Sequence, residues 1–193
     1  SSVQGLSGET TTAIHYNKEF KRLIIGYENG LIEIVDKNNE ITISSDIVNF
    51  NQSGEKSINH ISEFENTLYL STPFAIVAYD IKNLEFGDTF FIGNNSSEVK
   101  VNETTIFNNR IYAATEIGIF NADITSTLLI DFNTWEQGFI GRNFKQIKTF
   151  KNQLITVEGT SVFRINGDNL SLLRSFSENI KAINASIDYL SVA

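Results

Sequence analysis

Two histidines, His15 and His60, are the only imidazoles in this chain of 193 residues. Each sits in a short run rich in β-branched residues, so the two could approach one another where such runs lie side by side. A metal would need carboxylates beside them in a tighter geometry than repeated strands impose. A structural role is the simpler expectation. The oxygen-rich run Asp36-Lys37-Asn38-Asn39-Glu40 alternates ligand atoms as cation loops do. It lacks the glycine at the sixth position and the glutamate at the twelfth that an EF-hand needs. Its counterparts are Asp80-Ile81-Lys82-Asn83, Asp123-Ile124-Thr125-Ser126 and Asn166-Gly167-Asp168-Asn169. An Asx side chain that accepts from backbone amides two residues on explains this recurrence without a metal.

Other chemistry is sparse. Glu63 and Glu65 share a face near a strand end, but paired glycosidase acids come from different elements, and a solvated loop is expected. Trp135, in a segment expected to connect two blades, could stack on a sugar; a plug packed between blades is the simpler role. Asn102 opens an Asn-x-Thr sequon, a pattern that an Asn-rich chain generates freely. No Gly-x-Ser-x-Gly elbow, phosphate loop or dinucleotide fingerprint is present. Absence of cysteine removes disulfides, thiolate metal sites and a cysteine nucleophile. No residue is therefore assigned a catalytic, cofactor-binding or metal role, and no cofactor is expected.

A formal charge of −8 argues against an extended phosphate backbone such as nucleic acid as a partner. The 41% hydrophobic content is too high for disorder and sufficient for a core. No apolar run reaches the roughly 18–20 residues of a spanning helix. Ser1-Ser2-Val3-Gln4-Gly5 does not read as a signal peptide.

The elements that must position these residues repeat. Leu23-Ile24-Ile25-Gly26, Leu68-Tyr69-Leu70-Ser71, Ile111-Tyr112-Ala113-Ala114 and Leu154-Ile155-Thr156-Val157 begin 45, 43 and 43 positions apart. After each comes a second apolar run ending in Asp36, Asp80, Asp123 or Asn166, spaced 44, 43 and 43. Inner strands are expected at 12–16 and around 58–61, 101–105 and 144–147, and an outer strand at 40–43. Four short strands in a repeat of this length predict an all-β fold, a β-propeller with four-stranded blades. Blades are expected at about 11–50, 58–94, 101–133 and 144–177, with a half blade at 180–193, in one partial propeller domain over 1–193. Four and a half blades do not close a ring, so the rest of a parent chain is expected to close it. Tyr27-Glu28-Asn29-Gly30 predicts a hairpin, because Asn and Gly both tolerate positive φ. Gly118 and Gly159 hold related places.

The same runs resemble the first propeller of PorZ-type proteins of the Bacteroidetes type IX secretion system. The resemblance rests on Tyr27-Glu28-Asn29-Gly30, Lys56-Ser57-Ile58-Asn59 and Tyr69-Leu70-Ser71-Thr72-Pro73-Phe74-Ala75-Ile76-Val77. Asp88-Thr89-Phe90-Phe91-Ile92-Gly93 and Ile111-Tyr112-Ala113-Ala114-Thr115-Glu116-Ile117-Gly118-Ile119 extend it. Pro73, Ala75 and Ile117 depart from the family's expected glycines and polar turn residue. The resemblance implies a non-catalytic scaffold or binding module in the periplasm, at the outer membrane or on the cell surface. It further implies a PorU-like sortase and a PorV-like outer-membrane protein as partners, and lipopolysaccharide as the acceptor of secreted cargo. Competing readings are a periplasmic sensor propeller of a two-component regulator and a propeller-type polysaccharide-active enzyme. The enzyme would need acidic or basic groups converging at the channel mouth.

Overall fold

The computed structural model describes residues 5–51 and 53–193. Residues 1–4, on which most of the signal-peptide reading falls, lie outside the described residues. The first blade contains β1 (Thr11–Asn17), β2 (Arg22–Tyr27), β3 (Ile32–Val35) and β4 (Ile41–Ser44). The second contains β5 (His60–Phe64), β6 (Thr67–Ser71), β7 (Ile76–Asp80) and β8 (Glu85–Phe90). β9 (Val101–Phe107), β10 (Arg110–Thr115), β11 (Gly118–Asp123) and β12 (Glu136–Gly138) form the third. β13 (Gln146–Phe150), β14 (Gln153–Glu158), β15 (Ser161–Asn166) and β16 (Asn169–Ser175) form the fourth, and β17 (Ile183–Ala185) pairs with β18 (Leu190–Val192). Each four-stranded sheet is an antiparallel meander in chain order. The fold is the expected all-β arrangement of propeller blades.

Burial explains the tetrads. A blade's second strand lies between neighbouring blades on both faces, so it reads as a continuous apolar run instead of an alternation. Ile24, Leu68, Leu70, Ile111, Ala113 and Ile155 are all fully or almost fully buried. Outer strands alternate or are exposed, as in β8 and β16. The Asn- and Lys-rich turns between first and second strands supply left-handed backbone. Asn108 and Asn109 (φ 50 and 58) and Lys151 and Asn152 (φ 46 and 58) close two-residue hairpins whose twist matches that of the strands. At Tyr27-Glu28-Asn29-Gly30 only the glycine is left-handed (φ 88), and its N–H donates to Tyr27 O at 3.1 Å. The Asx turns form as expected. Asp36 accepts from Asn38 N–H at 2.8 Å, Asp80 from Lys82 N–H at 2.8 Å and Asp123 from Thr125 N–H at 2.9 Å. Asn166 instead pairs with Asn169 across Gly167 (φ 58).

Blades are joined by a recurring latch. Ile58 N–H donates to Tyr27 O at 3.1 Å, Val101 N–H to Thr72 O at 3.0 Å and Phe144 N–H to Thr115 O at 2.9 Å. Ile180 N–H donates to Gly159 O at 3.0 Å. Ile58, Val101 and Phe144 are fully buried between blades. The next residue extends the tie in two cases: Asn59 Nδ2 donates to Val101 O at 2.8 Å, and Asn102 Nδ2 to Phe144 O at 2.7 Å. Gly26 makes room for the first latch, since a Cβ there would lie 2.7 Å from Ile58.

Three expectations shift. Ile58 and Phe144 precede their strands, which begin at His60 and Gln146, and their N–H groups go to the preceding blade. The third blade's outer strand, β12, follows an insertion and lies beyond residue 133. Trp135 lies in the connection between β11 and β12 of that blade and not in an inter-blade connection, but its side chain packs between the second and third blades. Its indole N–H donates to Leu129 O at 2.9 Å, and its ring lies 6.4 Å from that of Phe90, so its role is packing.

Truncating the latch should be costly. Phe144→Ala is expected to remove about 3–5 kcal/mol of unfolding free energy. Ile43→Ala, at an exposed outer-strand position, should change it by about 0.5 kcal/mol or less. Urea unfolding of the two variants checks both values.

Candidate functional site

The first strands β1, β5, β9, β13 and β17 stand side by side along the propeller axis. Strand register therefore stacks side chains in rows. Ala13, His60, Glu103 and Gln146 pair with Gly26, Ser71, Ala114 and Val157, the last residues of the four tetrads. His15, Ser62, Thr105 and Lys148 form a second row, each one pleat further along its strand.

Titratable groups from three consecutive blades meet there. The Lys148 ammonium forms an ion pair with Glu103 Oε1, and its Nζ lies 3.4 Å from His60 Nε2. His60 Nε2 is 3.6 Å from Glu103 Oε1. Glu103 is only 3% exposed. Burial pushes its carboxyl up to about 7, against the opposing pull of Lys148. Burial, then the Lys148 charge and then His15 push the His60 imidazole down to about 3. At neutral pH His60 is uncharged, and its Nδ1 has no hydrogen-bond partner.

A second cluster ties the first two blades. His15 Nε2 lies 2.5 Å from Glu63 Oε2, and Asn17 Nδ2 donates to Glu63 Oε1 at 2.8 Å. Glu63 is thus a half-buried interblade partner, not the solvated loop residue expected. Glu65 lies in the following turn at φ 53. The two histidines occupy neighbouring first strands, but each engages a carboxylate from the next blade.

Two cavities meet at the first cluster. A funnel of about 890 Å³ opens where the first strands begin, and a chamber of about 370 Å³ lies toward their ends. His60, Glu103 and Lys148 line both and so form the floor between them. Hydroxyls of Ser62, Thr105 and Thr149 line the chamber. The funnel is rich in cations for an acidic chain: Lys100, Lys145, Lys148 and Lys181 line it. Its two carboxylates are engaged, Glu103 by Lys148 and Glu158 by Arg142, whose Nε donates at 3.0 Å. Lys145 and Lys181 form no ion pair among the described residues.

Among the described residues no group of three or more His, Cys, Asp or Glu could hold a metal. No helix of the described residues is long and apolar enough to cross a membrane. Sequence reasoning named His15 and His60 but missed Glu103 and Lys148. The available signal was position: Glu103 occupies in the third blade the place that His60 occupies in the second.

The sequence profile of the N-terminal β-propeller domain of PorZ, from the type IX secretion system, matches residues 1–136. The chain belongs to this family. The structure is similar to that of PorZ from Porphyromonas gingivalis, described as an essential bacterial surface component of the type IX secretion system, with a TM-score of 0.81 and 20% identity. That match covers 97% of this chain and 25% of the other, so the chain spans about a quarter of the length of that PorZ structure. The extracellular domain of a putative hybrid two-component system from B. thetaiotaomicron is similar with a TM-score of 0.72 and 16% identity, over 95% of this chain and 26% of that one. The Neurospora crassa Pan2 WD40 domain shares the fold at a TM-score of 0.65 and 9% identity, over 95% and 56%. No curated protein matches by sequence.

The two shifted groups should shape stability against pH in opposite directions. His60 is depressed from 6.5 to about 3. Its contribution is present above pH 6.5 and is lost as pH falls through that value toward 3. Glu103 is raised from 4.5 to about 7. Its contribution is full below pH 4.5 and is lost as pH rises toward 7. His60→Gln should flatten the acid limb of urea midpoint against pH, and Glu103→Gln the limb approaching neutrality.

Proposed function

We propose that this propeller is a non-catalytic binding module of a PorZ-like component of type IX secretion, working in the periplasm or at the cell surface. It helps attach secreted cargo to lipopolysaccharide, together with a PorU-like sortase and a PorV-like outer-membrane protein. The observation that carries this reading is the axial funnel. Its lysine-lined wall in a chain of net charge −8 favours an anionic group such as a sugar acid or a phosphorylated sugar. Family membership supports the secretion context. A cluster of acid, ammonium and imidazole in a cleft could equally serve an enzyme, but both funnel carboxylates are held by cations, Glu103 by Lys148 and Glu158 by Arg142.

The test is binding of purified lipopolysaccharide by the full chain and by a Lys145→Glu/Lys181→Glu variant. Charge reversal is expected to weaken binding about tenfold at low salt, with the difference shrinking as salt rises. Equal affinity of the two proteins would remove the funnel from the reading. Cross-linking in cells that recovers no PorU-like or PorV-like protein would count against the partners.

A further inference from the structure

The floor of the funnel is built from charges that depend on one another. Lys148 is the only funnel lysine that also lines the chamber beneath. It belongs to both the funnel wall and the ion pair with Glu103. An anion that descends the funnel must compete with the Glu103 carboxylate for this ammonium. The carboxylate it displaces is 3% exposed and, among the described residues, has no second lysine or arginine paired with it. A buried carboxylate that loses its only cation is expensive, and protonation is its cheapest escape.

The neighbours permit that escape. From β5, His60 faces Glu103 with Nε2 at 3.6 Å and is uncharged near neutrality, so it neither replaces Lys148 nor repels it. From β13, Lys148 faces the carboxylate. From β1, His15 acts on His60 but is held by Glu63. β17 contributes Ile183, Asn184 and Ala185, none of which titrates. On the funnel wall, Lys100 pairs at 3.7 Å with Glu116, while Lys145 and Lys181 attract an anion without touching the floor.

We propose that the His60–Glu103–Lys148 cluster is a proton-coupled floor to the axial funnel, in which an entering anion takes Lys148 from Glu103 and Glu103 takes up one proton from solvent. The Lys148 ammonium keeps its protons throughout. One ion pair is exchanged for another, and the added charge of the anion is offset by neutralisation of the carboxylate. This inference deepens the anion-binding reading above and rests on it. It adds that the funnel binds anions more tightly on the acid side of neutrality.

Inorganic sulfate is the probe, because its charge is constant over the range examined. Its binding to the full chain is followed at about pH 6 and about pH 8.5, with the Glu103 side-chain carboxyl carbon observed by NMR. Wild type should bind sulfate at least about fivefold more tightly at the lower pH. Saturating sulfate should move the carboxyl titration midpoint upward. Glu103→Gln should bind with the same affinity at both values, because its amide has no proton to take up. Equal pH dependence in wild type and Glu103→Gln overturns the coupling. So does a carboxyl midpoint that sulfate leaves in place, a measurement on wild type that stands even where the variant fails to fold. Absence of sulfate binding at either pH overturns the anion-binding reading itself. Binding without a shift in the Glu103 midpoint overturns only the proton-coupled floor.

Discussion

Stacking of each blade on the one before it is the constraint from which the rest follows. A four-stranded meander of this size cannot cover both of its faces, so its second strand must be apolar on both sides and sandwiched. The latch holds blades at a fixed height relative to one another. A buried apolar residue sends its N–H into the strand-to-strand turn of the preceding blade, and after Ile58 and Val101 the following asparagine also reaches forward to the next latch carbonyl. Ile58, Val101 and Phe144 perform this at successive interfaces in a chain with no cysteine. Packing and a few obligatory hydrogen bonds carry what a disulfide would otherwise supply.

Fixed height has a chemical consequence. Residues at equivalent places on successive first strands become neighbours around the axis, although about forty positions separate them in the chain. Glu103 meets His60 from the blade before and Lys148 from the blade after. The same logic places Glu63 against His15 and Asn17. These contacts give buried polar groups partners across blades, which costs less than leaving each alone, although His60 Nδ1 stays unpartnered among the described residues. The axis of this propeller is therefore charged and compensated, with a lysine-lined mouth on one side and a hydroxyl-lined chamber on the other.

Much of the scaffold was legible because strand chemistry is local. The tetrads and the Asx residues after them kept one period, and the Asx side chains turned the chain as their geometry requires. Ile58 and Phe144 looked like the starts of strands, since an apolar residue beside a β-branched run carries no sign that its N–H crosses to another blade. Trp135 read correctly as packing, yet its place within the third blade depended on an insertion that the period does not describe. Glu63 looked solvated because its partners lie in a different blade.

The amino-acid sequence by itself determined the all-β class, the repeat, the turn chemistry and the resemblance to the PorZ family. Each of these depends on residues close together in the chain or on a pattern that recurs along it. Tertiary structure alone decided which side chains face the axis and which partner each one finds. A one-residue change of register turns a side chain to the opposite face of its sheet, and the offset between blades sets which rows meet. The floor made by His60, Glu103 and Lys148 is a property of that offset, fixed by latches whose hydrogen bonds run between blades.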